Sequence, residues 1–241
     1  GAEAIVADGH GGWFVATTST TAFGFPRLIA HVLPTGQRDA NWVSPSVTGQ
    51  IDVLALHGGR LFMGGYLTAV DGVPRAGLAA LDATTGALLA WDAGLAGQGV
   101  PAVASVTHLA FAQGRVYIGG SFTTVAGQPR ASGAVVDEAT AALLPLVLPV
   151  ATFPGFGELG LSANRVYVSG FFGEGQIRVR AFDLDLVPIA GWDTTAEGAA
   201  LLATPTAVYV SRYVSSSIGI GVVALDPLTG HPLTFAPVAL G

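Results

Sequence analysis

RLFMGGYLTAVDGVPRAGLAALD, residues 60–82, returns fifty-five residues later as RVYIGGSFTTVAGQPRASGAVVD, residues 115–137. A shorter version, RVYVSGFFGEGQIRVRAFD, covers residues 165–183. Two further copies lie nearer the ends of the chain. A unit that recurs at this spacing indicates a repeat architecture, so the repeat has to be aligned before any single motif is interpreted.

Each copy has an aromatic residue in its second apolar segment, and these aromatics are separated by 48, 55, 50 and 42 residues. The residue two positions after the aromatic is always small. We use the aromatic as position 0 of each repeat, and the small residue is then position +2. The aromatic and small residues are, in order, Phe14 and Ala16, Phe62 and Gly64, Tyr117 and Gly119, Tyr167 and Ser169, and Tyr209 and Ser211.

A second pair of anchors follows in each repeat, and its two members are always nine residues apart. The first member is an aspartate in four of the five copies, and the second is a large apolar residue. A fixed offset in five copies supports the alignment. The pairs are Leu33 and Trp42, Asp82 and Trp91, Asp137 and Leu146, Asp183 and Trp192, and Asp226 and Phe235.

Each repeat reads as four short strands separated by turns that contain Gly or Pro. In the second repeat the predicted strands cover residues 53–56, 61–66, 78–81 and 87–91. A four-stranded sheet has two apolar faces and cannot bury both alone, whereas sheets packed face to face can. The sequence therefore predicts an all-β fold, a single β-propeller domain of five four-stranded antiparallel blades, at residues 4–49, 50–104, 105–156, 157–198 and 199–241.

The composition limits the classes of function. Of 241 residues, 51% are hydrophobic and 11% are charged, and the formal net charge is -6. This charge argues against nucleic-acid binding, which requires a basic surface. No apolar run is long enough for a membrane-spanning helix, and the absence of Cys excludes disulfides. Because the sequence starts at Gly1, we expect a processed or excised piece of a longer protein.

Residues 114–130, GRVYIGGSFTTVAGQPR, and residues 78–92, LAALDATTGALLAWD, resemble the bacterial delta-60 repeat propellers. The resemblance is strong over residues 51–146. It weakens in the last two repeats, which lack the Pro-Arg pair present at Pro74-Arg75 and Pro129-Arg130. The resemblance implies an exported, extracellular or cell-surface protein and no general enzymatic activity.

The residues that could carry chemistry are better explained by the scaffold. The aspartate that recurs in four of the five repeats is expected to cap a turn. The Arg of each Pro-Arg pair is expected to cover a blade edge or to pair with a carboxylate such as the repeat aspartate. The five His lie at five different repeat positions without zinc-site spacing. A catalytic acid/base pair among Glu158, Glu174 and Glu197 remains an alternative, because the sequence does not give the distance between their carboxyl groups. We predict no catalytic residues, no metal and no cofactor.

Two long connectors, residues 92–106 and 146–157, are apolar and rich in Gly and Pro. Long loops on a repeat scaffold are frequent binding sites. We expect both connectors to contact a protein partner or cell-surface component from one rim. The predicted binding residues are Leu95, Val100, Pro101, Val103, Pro149, Phe153, Pro154 and Phe156.

The sequence therefore predicts a non-enzymatic binding or structural propeller module of a bacterial exported protein. The alternative is a glycan-binding lectin or glycan-directed enzyme with a site in the central channel. We expect a closed ring whose termini lie close together, with residues 5–8 or 237–241 pairing in the sheet of the other end. The alternative architecture is a five-blade segment of a larger propeller, in which the terminal blades would expose apolar faces.

Overall fold

The computed structural model describes residues 2–17, 28–97, 103–130, 132–148, 156–162, 164–172, 177–194, 200–215 and 219–234. Within these ranges the regular structure is all β, and no helix is present that could cross a membrane. The strands form antiparallel sheets of three or four strands. Of the two segments predicted to close the ring, residues 5–7 instead pair with residues 13–15 in the sheet of the first repeat, and residues 237–241 lie outside the described ranges.

Each repeat contributes one sheet, which we call a blade. Blade one contains β1 (Ala2–Ala7), β2 (Trp13–Thr17) and β3 (Leu28–Val32), and blade two contains β4 (Val47–His57), β5 (Arg60–Val70), β6 (Val73–Pro74) and β7 (Leu78–Asp82). The short strand β8 (Leu95–Ala96) lies in the connector before the third repeat. The third repeat gives β9 (Ser105–Ala112), β10 (Arg115–Ser121), β11 (Thr124–Val125), β12 (Gln128–Pro129) and β13 (Gly133–Asp137). The order β13-β10-β9 is blade three, and β12-β11-β8 is a small additional sheet.

Blades four and five follow the same plan. Blade four contains β14 (Phe156–Ser162), β15 (Arg165–Phe171), β16 (Ile177–Asp183) and β17 (Pro188–Thr194), in that order. Blade five contains β18 (Leu201–Ala203), β19 (Val208–Ser215) and β20 (Gly219–Leu225). The chain divides into two compact units, residues 1–109 with 114–144 and residues 110–113 with 145–241.

The strand that carries the position-0 aromatic lies between two partners in every blade, as the sequence predicts. Side chains alternate between its two faces. In the first unit, Leu61 and Met63 of blade two share an apolar cluster with Phe14, Ala16 and Ile29 of blade one. In the second unit, the equivalent Val208 and Val210 of blade five share one with Tyr167 and Val179 of blade four. The apolar core of each unit therefore lies between neighbouring blades.

The small residue at position +2 permits this contact. A Cβ added at Gly64 would lie 2.7 Å from Val53 Cγ1 and 2.9 Å from Cγ1 of Val106, which belongs to blade three. Gly119, at the same position of blade three, is also buried. In blades four and five the small residue is a serine with a second role. Ser169 Oγ accepts a 2.8 Å hydrogen bond from the Glu158 amide, and Ser211 Oγ accepts one of 3.0 Å from the Ala200 amide.

The predicted fourth strand is complete only in blade four. In the other repeats it is a single bridge, formed by the pairs Val32 and Arg38, Leu81 and Leu88, Val136 and Leu143, and Leu225 and Pro232. In the first two repeats the chain leaves the sheet early and places Trp42 or Trp91 against the next blade. Trp42, Trp91 and Trp192 are buried at equivalent positions, which confirms the predicted register. Each packs on the position-0 ring of its own blade, with centroids 5.1 to 5.6 Å apart.

The segment after strand two differs from the prediction. Residues 71–74 were expected to form a loop, but Val73–Pro74 folds back on β5 as a hairpin strand. The equivalent β11 and β12 of the third repeat form a second hairpin, which also pairs with β8. The Asp71-Gly72 dipeptide is a known hairpin-turn signal, so this feature was readable from the sequence.

We expect Gly64→Val to destabilise the protein by about 1–3 kcal/mol, because the new side chain would enter the space held by Val53 and Val106. Urea denaturation followed by circular dichroism measures the change. Replacing the half-exposed Tyr66 of the same strand with Leu is the control and should cost much less. Equal stability of the Gly64 variant and wild type would contradict the blade contact assigned here.

Candidate functional site

The turn after strand three is built by the recurrent aspartate. Asp226 Oδ1 accepts hydrogen bonds from the Leu228 amide at 2.9 Å, the Thr229 amide at 2.7 Å and the Thr229 hydroxyl at 3.0 Å. Asp82 and Asp137 make the same three contacts in their own turns, with Thr85 and Thr140 supplying the hydroxyls. The prediction that these aspartates cap turns is confirmed.

These donors stabilise the charged carboxylate. The amide and then the hydroxyl of Thr229 are the largest causes that hold the pKa of Asp226 below its ordinary value of 3.8. The pKa values of Asp82 and Asp137 are lowered in the same way, by Thr85 and Thr140. Hydrogen bonds to a carboxylate favour its ionised form, so the turns are held best by the charged aspartate.

Each tryptophan ties one blade to the turn of the next. The indole N–H of Trp42 donates to the Ala83 carbonyl at 3.1 Å, that of Trp91 to Glu138 at 2.9 Å, and that of Trp192 to Asp226 at 3.3 Å. The turn must approach the indole closely. A Cβ at Gly86 or Gly230 would lie 3.1 Å from the preceding blade's indole.

An arginine at position -2 makes a second tie. The Arg165 guanidinium donates to the carbonyls of Pro227 at 2.6 Å and Leu228 at 2.9 Å. The Tyr167 hydroxyl donates to Pro227 at 2.8 Å. In the first unit the equivalent Arg60 donates to the Glu138 carbonyl. Burial raises the pKa of the Tyr167 phenol above 10.0, which keeps it protonated as a donor.

These ties border a recess between blades four and five, which we call the inter-blade notch. Its volume is about 610 Å³. The side chain of Leu228 on its rim is 68% exposed. All of its lining residues lie on or near the edge formed by the strand 1–2 and strand 3–4 turns. They are Ser162, Asn164, Arg165, Tyr167, Asp183, Ile189, Pro205, Thr206, Asp226, Pro227 and Leu228.

A smaller recess of about 360 Å³ occupies the equivalent place between blades two and three. It is lined by Arg60, Leu89, Ala90, Trp91, Ala139 and Thr140. Because the two recesses arise from equivalent repeat positions, the recess is a product of the scaffold. Its larger form in the second unit is the candidate binding site.

The binding residues predicted from the connectors are only partly described. Leu95 is buried in β8, and its side chain points into the apolar core. Val103 is half-buried, and Phe156 is the first residue of β14. Val100, Pro101, Pro149, Phe153 and Pro154 lie outside the described residues. Because β14 ends at Ser162 beside the inter-blade notch, it begins, at Phe156, on the opposite edge of blade four.

The other polar candidates are also engaged. Arg75 Nη2 donates to the Leu89 carbonyl at 3.1 Å, and Nη1 lies 3.6 Å from Asp92 Oδ2, so this Arg pairs with a carboxylate other than the repeat aspartate. His31 lies between Asp39 at 2.9 Å and Asp8 at 3.1 Å. Within the described ranges, no group of three His, Cys, Asp or Glu could hold a metal ion.

The inter-blade notch was not predicted from the sequence because its charged residues, Arg165, Asp183 and Asp226, all belong to the repeat. The available signal was an arginine two residues before the aromatic in three copies, Arg60, Arg115 and Arg165. An Arg at a strand end, facing the turn of the next blade, has several carbonyl oxygens within reach. That geometry appears only when two neighbouring blades are considered together.

Comparisons with solved structures support the fold. The chain resembles BamB from Moraxella catarrhalis, with a TM-score of 0.52 and 14% identity over 98% of this chain and 77% of that one. It also resembles the N-terminal domain of Nup159, with a TM-score of 0.50 and 9% identity over 95% of this chain and 59% of that one. No protein-family model and no curated protein sequence matches the chain. Both neighbours are β-propellers, and the chain has a β-propeller fold.

The lowered pKa of Asp226 predicts a pH dependence of stability. Because the folded-state pKa lies below the unfolded value, the stabilisation is present above about pH 4 and is lost as pH falls through the folded pKa. Asp226→Asn keeps the acceptor oxygen but removes the charge. Denaturation at a series of pH values should show wild type to be more stable at neutral pH, with the difference shrinking in acid. A pH-independent difference would contradict the role of the carboxylate charge.

Ala141 occupies the turn position of Gly86 and Gly230 and has a φ of 62°. Left-handed backbone costs an L-residue roughly 1–2 kcal/mol, so we expect Ala141→Gly to stabilise the protein by about 0.5–1 kcal/mol after the entropic cost of glycine. Ala142→Gly, at the exposed next position, should slightly destabilise it. Thermal unfolding compares the two variants. A loss of stability in both would contradict the strain assigned to Ala141.

Proposed function

We propose that this propeller is a non-catalytic protein-binding module, and that the inter-blade notch holds an apolar side chain of a partner segment. The observation that carries the proposal is the exposed Leu228 on the rim of a recess of about 610 Å³. Ile189, Pro205 and Pro227 add apolar surface to the lining. A concave, mostly apolar recess with a few fixed polar groups is typical of binding sites.

The polar groups of the inter-blade notch support binding over catalysis. The Asp226 carboxylate is held by three donors of its own turn, and Arg165 by two carbonyls. The Tyr167 hydroxyl donates to Pro227. A general acid or base needs a proton that it can exchange with substrate, whereas these bonds fix the walls of the recess. A preformed recess lowers the entropic cost of binding.

The character of the lining favours a peptide over a carbohydrate. The ring of Tyr167 is fully buried and offers no face on which a sugar could stack. The ionised Asp226 and the nearby Asp183, set against the single Arg165, give the inter-blade notch a negative balance. We therefore propose a partner segment with a large apolar residue next to Arg or Lys. The glycan-directed alternative is tested alongside it, with a glycan array.

We also propose that the module belongs to an exported or cell-surface protein of the delta-60 repeat type. This rests on the resemblance of residues 78–92 and 114–130 to that family. Contact of a partner with the connectors at residues 92–106 and 146–157 is retained as a separate proposal. Locating the protein by fractionation of its source cells tests the first point, and cytoplasmic recovery would contradict it.

A phage-displayed library of random peptides, selected on the purified protein, tests the binding proposal. Selected peptides should share a large apolar residue flanked by a basic one. Leu228→Glu should weaken their binding at least tenfold, because a charge would then line an apolar contact. The same peptides should protect Leu228 from radical labelling.

Val43→Glu serves as the matched control, since Val43 is a comparably exposed apolar residue of the first unit. It should leave peptide binding unchanged. A glycan array probed in parallel tests the alternative. Peptides that bind the Leu228 variant and wild type equally well, or glycan binding that is lost in the Leu228 variant, would overturn the proposal.

A further inference from the structure

The strand 3–4 turn of blade four differs from the same turn in blades two, three and five. Those three turns have a threonine three residues after the aspartate, whereas blade four has Leu186 at that place. Leu186 is buried and adopts a left-handed backbone conformation, with a φ of 63°. Asp183 therefore lacks the threonine hydroxyl as a donor. The amides of Asp185 and Val187 donate to its Oδ1 at 2.9 and 2.8 Å.

This turn leaves the second carboxylate oxygen of Asp183 without a partner. In the part of the chain that the structure describes, Oδ2 of Asp183 has no hydrogen bond and no ion pair. Arg165 lies opposite Asp183 on the neighbouring strand, but its guanidinium donates to the carbonyls of Pro227 and Leu228. Because Asp183 lines the inter-blade notch, a carboxylate with one free oxygen borders this recess.

The other carboxylate of the inter-blade notch, Asp226, is more fully engaged. Its Oδ1 accepts three hydrogen bonds from its own turn, and the positive charge of Arg165 attracts it. The charges of Asp226 and Arg165 therefore balance, and the uncompensated charge of the lining is that of Asp183. A cation bound in the inter-blade notch is expected to lie next to Asp183.

The smaller recess between blades two and three has the opposite charge. Among the described residues that line it, Arg60 is the only charged one. Asp82, which corresponds to Asp183, accepts the Thr85 hydroxyl at 2.9 Å and is not part of that lining. An affinity for a cation therefore distinguishes the inter-blade notch from its counterpart in the first unit.

The geometry of the free acceptor distinguishes lysine from arginine. A guanidinium gains most when it bonds both oxygens of a carboxylate at once or stacks on an aromatic face. The inter-blade notch offers neither contact, because Oδ1 of both Asp183 and Asp226 is already occupied and the ring of Tyr167 is buried. An ammonium group needs single acceptor oxygens only. A recess of about 610 Å³ also has room for water molecules that keep the ammonium partly hydrated.

We propose that the inter-blade notch selects lysine over arginine beside the apolar residue of its partner, and that Asp183 makes this selection. The inference rests on the proposed function, since it specifies the basic residue of the same partner segment. Oδ2 of Asp183 accepts from the ammonium group, while the methylene groups of the lysine lie along the apolar part of the lining.

Fluorescence anisotropy with the peptides selected from the phage library tests the proposal. Each peptide is synthesised in two versions, with Lys or with Arg beside its large apolar residue. Wild type should bind the lysine versions about threefold more tightly, a difference within the range of one solvent-exposed ion pair. Acetylation of that lysine removes its charge and should abolish the advantage.

Asp183→Asn keeps an acceptor for the two turn amides and removes the charge. This variant should bind the lysine and arginine versions equally well. A purely structural role of Asp183 would instead weaken both versions by the same factor and leave their ratio unchanged. Asp185→Asn, in the same turn but outside the lining, is the matched control and should retain the wild-type ratio.

The outcomes separate this inference from the proposed function. Lysine and arginine versions that bind wild type equally, and that both lose binding in the Leu228→Glu variant, would overturn the lysine assignment and leave the proposed function standing. A lysine preference that survives Asp183→Asn would overturn the role of Asp183. A library that yields no peptide dependent on Leu228 would overturn the proposed function and this inference together.

Discussion

The fold depends on one constraint, which is that a small twisted sheet with two apolar faces must have a neighbour on each side. Positions -1 and +1 supply one face, and positions 0 and +2 supply the other. Met63 against Ile29 in the first unit and Val210 against Val179 in the second show the same contact. The small residue at +2 follows from this constraint, since Gly64 has no room for a Cβ beside Val106. The low content of charged residues follows from the same constraint, because both faces of a blade are apolar.

The turn edge of the blades combines scaffold and site. In blades two, three and five an aspartate caps the turn after strand three. A tryptophan of the preceding blade donates to the turn backbone, and an arginine at position -2 donates to the turn carbonyls. Together these contacts leave a recess beside the turn, and in the second unit Leu228 gives that recess an exposed apolar rim. The rim residue can therefore differ from one recess to another, while the recurrent hydrogen bonds of the repeat fix the walls.

Much of the fold was readable from the sequence because it depends on periodic local signals. The recurring aromatics, such as Phe62 and Tyr117, marked the second strand of each repeat, and the nine-residue offset aligned Trp91 with Trp42 and Trp192. The features that were missed depend on two elements meeting. The fourth strand shortens to one bridge because the chain turns toward the next blade. The hydrogen bond that the Glu158 amide donates to Ser169 Oγ depends on the register of two strands. The inter-blade notch likewise exists only between blades, so no single repeat encodes it.

Hydroxyl-radical footprinting of the four tryptophans, read by mass spectrometry, tests the central claim that blade faces are buried wherever a neighbour is present. Trp42, Trp91 and Trp192 are almost fully buried, whereas Trp13 is 46% exposed. In dilute protein Trp13 should be oxidised far faster than the other three. Oxidation of Trp42, Trp91 or Trp192 as fast as that of Trp13 would contradict the blade packing on which the account depends.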